Sequence, residues 1–145
     1  MKILKITFCF LAFSGITFIT NAQSDAADHA AIAKTLNYYL EGGTTNDFEM
    51  LKQAFHPTAS MKFVSDEGYK EVNAVEFFQG VMKPGPRQSR QTHIVDINVS
   101  GNAASARVEA VYPTFKFIDY MNLLNIDGEW KIVNKIFYRE EAPKP

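Results

Sequence analysis

The chain has 145 residues, with 15 basic against 16 acidic side chains for a formal charge of −1, and a single cysteine, Cys9. That length supports one domain with one core. The balanced charge does not favour nucleic acid, which wants a basic stripe, and one cysteine excludes a disulfide within the chain.

Lys2 and Lys5 precede the apolar run "ITFCFLAFSGITFI", Ile6 to Ile19, and the small-residue exit "TNA". This three-part pattern predicts a cleavable signal peptide at 1–22. The apolar run of 14 residues falls short of the roughly 20 that a membrane span needs. The expected organisation is therefore a leader at 1–22, one domain at 23–139 and a short tail at 140–145. The expected location is secreted or periplasmic, with no membrane association after cleavage. Cys9 leaves with the leader, so thiol chemistry is not expected in the mature chain.

The first half reads as helix. "SDAADHAAIAKTLNYYLEGG" carries Ile32, Leu36, Tyr39 and Leu40 on one stripe, with Ser24 or Asp25 to cap it and Gly42–Gly43 to end it. "TTNDFEMLKQAF" predicts a second helix, capped by Asn46 with Glu49 and stopped by Pro57, which places His56 at its C-terminus. "TASMKFV" alternates as a short strand. "EVNAVEFFQGVM" returns to helix, with Asn73 and Glu76 spaced as a cap. Lys83, Arg87 and Arg90 in "KPGPRQSRQ" read as a solvated loop.

From Gln91 the period becomes 2. "THIVDINV" places His93, Val95, Ile97 and Val99 on one face, and "AASARVEAVY" does the same for Ala106, Val108, Ala110 and Tyr112. Pro113 predicts a bulge or an edge position. "FIDYMNLLNIDGEWKIVNKIFY" reads as two long strands joined through Asp127–Gly128, a favoured hairpin pair. The predicted fold class is α+β: a cone-shaped, curled antiparallel sheet with three helices of the N-terminal half on its concave face. The open end of such a cone is a natural pocket.

The strings "YYLEGGTTNDFEMLKQAFHPTASM", "SGNAASARV" and "IDYMNLLNIDGEWKIVNKIFY" resemble the nuclear-transport-factor-2-like superfamily, whose cone folds include ketosteroid isomerase-like and SnoaL-like proteins. Within it the chain is most similar to the bacterial group named "putative lumazine-binding". The resemblance covers about Ala30 to Tyr138. In the ketosteroid isomerases, a helix tyrosine and a protonated strand aspartic acid bind the oxyanion, and a second aspartate moves the proton. The resemblance places Tyr39 at the helix tyrosine and Tyr120 at the strand acid, with Asp119 one residue away. It places Phe63 at the general base. Phenylalanine accepts no proton, so the reading leans away from an enzyme and names no catalytic residue.

Parity within 115–126 groups Ile118, Tyr120, Asn122 and Leu124 against Phe115, Phe117, Asp119, Met121 and Leu123. The first set is expected to line the cone. The second, with Val133, is expected to face outward and join a second copy as a homodimer. The candidate ligand-binding residues are then Tyr39, His93, Tyr120, Asn122 and Asn134, set in an apolar cup of Phe55, Phe63, Tyr112 and Trp130. Such a cup suits a small apolar or flat aromatic ligand. His29, His56 and His93 lack metal-ligand spacing, and neither a cofactor nor nucleic acid is expected. Two alternatives stay open: a structural or interaction domain without a small ligand, and an isomerase, dehydratase or cyclase of the ketosteroid isomerase kind.

Overall fold

A computed structural model describes residues 20–142, with side chains from Asp25 onward. The leader expected at 1–22 falls outside the described residues, apart from the backbone that opens the first helix. Among the described residues, no helix is long and apolar enough to cross a membrane.

Helix α1 runs Thr20–Thr45 and α2 runs Phe48–Lys52. Strand β1 (Phe55–Ser65) and strand β2 (Gly68–Asn73) lead into α3 (Ala74–Val81). Strands β3 (Gln91–Ser100), β4 (Ala103–Val111), β5 (Phe115–Ile126) and β6 (Glu129–Glu141) complete the chain. They form one six-stranded sheet in the order β2-β1-β6-β5-β4-β3. The α+β class and the curled, unclosed sheet carrying three helices are as the sequence predicts. The sheet is mixed rather than purely antiparallel, because β1 and β6 run parallel.

The helices dock through apolar faces. Ile32, Leu36 and Leu40 of α1 are buried on the sheet against Met61, Val108, Met121, Leu123 and Ile132. The helix continues past Gly42–Gly43 to Thr45, and Asn46 ends it with a left-handed φ of 58°, which an Asn tolerates. The cap of α2 is Asp47 rather than Asn46, its carboxylate accepting from the Met50 amide at 2.9 Å. Asn73 caps α3 as expected, accepting from the Glu76 amide at 3.0 Å. His56 and Pro57 belong to β1, in the stretch where its register with β6 shifts. Strand β2 escaped the sequence reading: "GYKEVN" is a short polar edge. Pro113 lies in the turn between β4 and β5, where the Tyr112 amide donates to the Phe115 carbonyl at 2.8 Å. The hairpin turn at Asp127–Gly128 has positive φ at both residues, 53° and 87°, as a type I′ turn requires. Strand β6 extends into the expected tail, to Glu141.

Two bulges reset side-chain direction. In β3 the register shifts between Ile94 and Asp96, so Ile94, Ile97 and Val99 pack on the core while His93 and Val95 are exposed. In the β5–β6 pair it shifts at Asn122/Leu123. Trp130 and Ile132 face the helices before the bulge, and Lys135 and Phe137 do so after it.

Strand β5 has the opposite parity to the one expected. Asp119, Met121 and Leu123 are buried under the helices, and Tyr120 is 49% exposed on the convex face. Phe117 and Met121 therefore do not supply an outward stripe. The convex face instead exposes Val64, Tyr69, Tyr120, Ile136 and Tyr138.

Candidate functional site

The helices and the curled sheet enclose a cavity of about 320 Å³, near the small end of the roughly 300–1,000 Å³ typical of ligand sites. Its wall is Tyr39 from α1, Leu51 from α2, Met61 from β1, Phe77, Phe78 and Val81 from α3, and Tyr112, Phe117 and Phe137 from the late strands. The polar lining comes from Asn46, Lys83, Gln88, Arg90 and Lys135.

One polar cluster forms the deep wall. The Lys135 ammonium donates to Asp119 Oδ1 at 2.6 Å, and the Tyr39 hydroxyl donates to Asp119 Oδ2 at 2.7 Å. Both ion-pair partners are buried. A buried carboxylate is tolerable only when paired and hydrogen-bonded, and here both of its oxygens are satisfied. The ammonium also lies 4.1 Å from the Phe137 ring centroid, a cation–π distance. Burial pulls the Lys135 pKa below its usual value, although Asp119 acts in the other direction. Burial first, and the Asp119 charge second, push the Tyr39 phenol well above its ordinary value.

A second cluster closes the end of α1. Arg90 donates from Nε to Thr44 Oγ1 at 2.9 Å, from one terminal nitrogen to the Leu40 carbonyl at 2.8 Å, and from the other to the Tyr112 hydroxyl at 2.8 Å. Tyr112 in turn donates to Gln88 Oε1 at 2.8 Å. Gln88 Nε2 donates to the Gly43 carbonyl at 3.0 Å and to Asn46 Oδ1 at 2.7 Å. The last turn of α1 thus has its free carbonyls capped by a loop remote in sequence. Gly43 permits this, since a Cβ there would lie 2.4 Å from an Arg90 terminal nitrogen. A guanidinium has five N–H donors. Three are committed to the fold among the described residues, and Arg90 also lines the cavity.

The expected site residues separate into groups. Tyr39 and Tyr112 line the cavity. Phe55 is one layer behind, with its ring 5.7 Å from both Tyr39 and Phe78. Phe63 packs on Phe137 at 5.0 Å and borders a shallow groove with Tyr69 and Tyr138. Trp130 is buried under α1, with Nε1 donating to Asp28 at 3.1 Å. His93, Tyr120 and Asn122 are exposed, and Asn134 reaches Ser60 Oγ at 2.9 Å across the convex side. Those four do not reach the cavity: the β3 bulge turns His93 out, the inverted β5 parity turns out Tyr120 and Asn122, and the β6 bulge turns out Asn134.

Asp119, Lys135, Arg90 and Gln88 are the chemically active groups that the expected set omits. Arg90 sits within a stretch read as solvated loop, but it is half-buried. The sequence signal for Asp119 and Lys135 is weak, because β5 and β6 carry other charges such as Lys116, Lys131 and Arg139. The bulge between them hides that they share a face.

Comparison with known proteins agrees with this architecture. A curated relative, "Aldolase FrzH" from Cladobotryum sp, is 23% identical over 115 residues, covering 78% of this chain and 92% of the relative. An NTF2-like protein of unknown function from Shewanella baltica OS155 superposes with a TM-score of 0.72 at 27% identity, covering 82% of this chain and 97% of that one. Another, from Methylobacillus flagellatus KT, does so with a TM-score of 0.70 at 31% identity, covering 79% and 93%. The family model described as "Putative lumazine-binding" matches residues 27–138, and this chain belongs to that family, within the nuclear-transport-factor-2-like superfamily.

Proposed function

We propose that the cavity binds a compact, flat or apolar molecule carrying an anionic or strongly electron-rich oxygen, held toward Arg90 and Lys135. One observation carries this reading. Among the described residues, the charged side chains lining the cavity are Lys83, Arg90 and Lys135, and no carboxylate lines it. Asp119 lies behind Tyr39 and Lys135 and offsets one of the three charges. The rest of the wall is mainly aromatic and aliphatic, which favours a flat ligand body. Lumazine, named in the family's description, is a flat bicycle with carbonyl oxygens and belongs to this chemical class.

The test compares two probes of one shape, 1-naphthoate and 1-naphthalenemethanol, by isothermal titration. Hydrogen bonds to charged groups contribute about 1.5–3 kcal/mol, so the carboxylate should bind at least about tenfold more tightly. Equal binding of the two, or binding of neither, would overturn the reading. A second reading, that the cavity transforms a carbonyl compound, draws on the aldolase named among the relatives. A screen of enolisable ketones for hydrogen exchange tests it.

Two further proposals concern partner and place. The exposed Val64, Tyr69, Ile136 and Tyr138 suit an isologous interface with a second copy through the convex face. The apolar leader pattern supports export, and N-terminal sequencing of protein from its native host should begin near Gln23.

A further inference from the structure

We infer that Lys135 forms a reversible imine with an aromatic aldehyde or ketone bound in the cavity; this rests on the ligand-binding reading above. Three features of the site carry the inference. First, Lys135 lines the cavity although its side chain is only 4% exposed. The β6 bulge beside Asn134 directs it there. Second, its surroundings match the product better than the resting state. An ammonium has three N–H donors, and among the described residues it meets one acceptor, Asp119 Oδ1 at 2.6 Å. A protonated imine has one N–H, and that one donor fits that one acceptor. Third, the substitution conserves charge. The iminium keeps the positive charge of the ammonium, so Asp119 stays paired and no buried charge is left alone.

The chemistry balances without a co-reactant. Asp119 takes one proton from the ammonium, and the freed nitrogen lone pair adds to the carbonyl carbon. A proton passes from nitrogen to oxygen to give the carbinolamine. Asp119 returns its proton to the carbinolamine hydroxyl, which leaves as water while the nitrogen lone pair forms the C=N bond. The sum is ammonium plus carbonyl giving iminium plus water. Tyr39, donating to the other oxygen at 2.7 Å, holds the carboxylate in place throughout and acts as a positioning residue. Burial also raises the fraction of free amine, because each unit by which a lysine pKa falls gives about tenfold more free amine at neutral pH.

The experiment incubates the full chain with 1-naphthaldehyde and sodium cyanoborohydride at neutral pH and maps the reduced adduct by peptide mass spectrometry. Lys135 should be labelled faster than the exposed lysines, and 1-naphthoate should suppress that labelling alone. Lys135→Arg, which keeps the charge and removes the nucleophilic amine, should lose the adduct. If 1-naphthoate binds while only surface lysines are labelled, the imine is refuted and the ligand-binding reading survives. If neither probe enters the cavity, both fail. The mapping on the unsubstituted chain decides the matter even where Lys135→Arg does not fold.

Discussion

The two faces of the β5–β6 hairpin each carry groups that invert the usual distribution of polarity. Its concave face buries an aspartate and a lysine, Asp119 and Lys135, under three helices. Its convex face leaves Tyr120, Ile136 and Tyr138 about half exposed or more. Folding alone would favour the reverse, because burying apolar groups is favourable and burying charges is costly. An inversion on both sides of one element marks two surfaces shaped by something other than stability. The inner one lines a cavity, and the outer one is proposed to meet a second copy.

The largest effect should come from breaking the buried pair. Asp119→Ala strands the Lys135 ammonium and the Tyr39 hydroxyl, and should cost about 3–5 kcal/mol in urea unfolding. Replacing Tyr39, Asp119 and Lys135 together by Phe, Leu and Met should recover most of that loss. A triple variant as unstable as Asp119→Ala would show that the charges serve the fold after all, and the inversion would lose half its meaning.

Next comes the outer face. Ile136→Asp should leave the monomer folded and weaken the proposed dimer by about 2 kcal/mol or more, seen by sedimentation equilibrium. An unchanged association constant would move the interface elsewhere.

Tyr39→Phe should cost about 1–3 kcal/mol at neutral pH, since it removes a donor from a buried carboxylate. Its pH dependence has a definite sign. The folded-state pKa lies above the ordinary 10.0, so the hydroxyl's contribution is complete below pH 10 and is lost as pH rises through the folded value. The gap in stability between the two proteins should therefore narrow above pH 10, and a gap that widens there would contradict the hydrogen bond to Asp119. The smallest effect belongs to Tyr120→Phe. Its ring is half exposed on the convex side, so the change should fall within about 0.5 kcal/mol in stability and leave 1-naphthoate binding unaltered by titration.

Much of the fold was legible because it rests on period. The stripe Ile32, Leu36, Leu40, the alternation Ala106, Val108, Ala110 and the pair Asp127–Gly128 each point to one local structure. The site was legible only where a residue lay on such an undisturbed element, as Tyr39 and Tyr112 do. His93 and Asn134 were misplaced because a bulge adds one residue to the count, and one residue reverses every side chain beyond it. Tyr120 was misplaced because the resemblance set it at the strand acid, one residue from Asp119, which takes the buried position. The pairing that makes a buried Asp119 tolerable, with Lys135, depends on the second bulge. Arg90 looked solvated because its acceptors, the Leu40 carbonyl and Thr44, lie far back along the chain.

The parallel seam between β1 and β6 has a consequence for synthesis. Ser60 and Asn134 are hydrogen-bonded neighbours 74 residues apart along the chain, and β6 occupies an interior position in the strand order. As the chain leaves the ribosome, β1 and β2 can form a hairpin, and β3, β4 and β5 can form a meander, but no strand pairing joins the two pieces, which share only the packing of α1. Only the final strand does so, and it carries Lys135 into the cavity as it docks. Such non-local closure is slow. The nascent chain should therefore stay protease-sensitive until β6 has emerged, which pulse labelling of stalled chains can time.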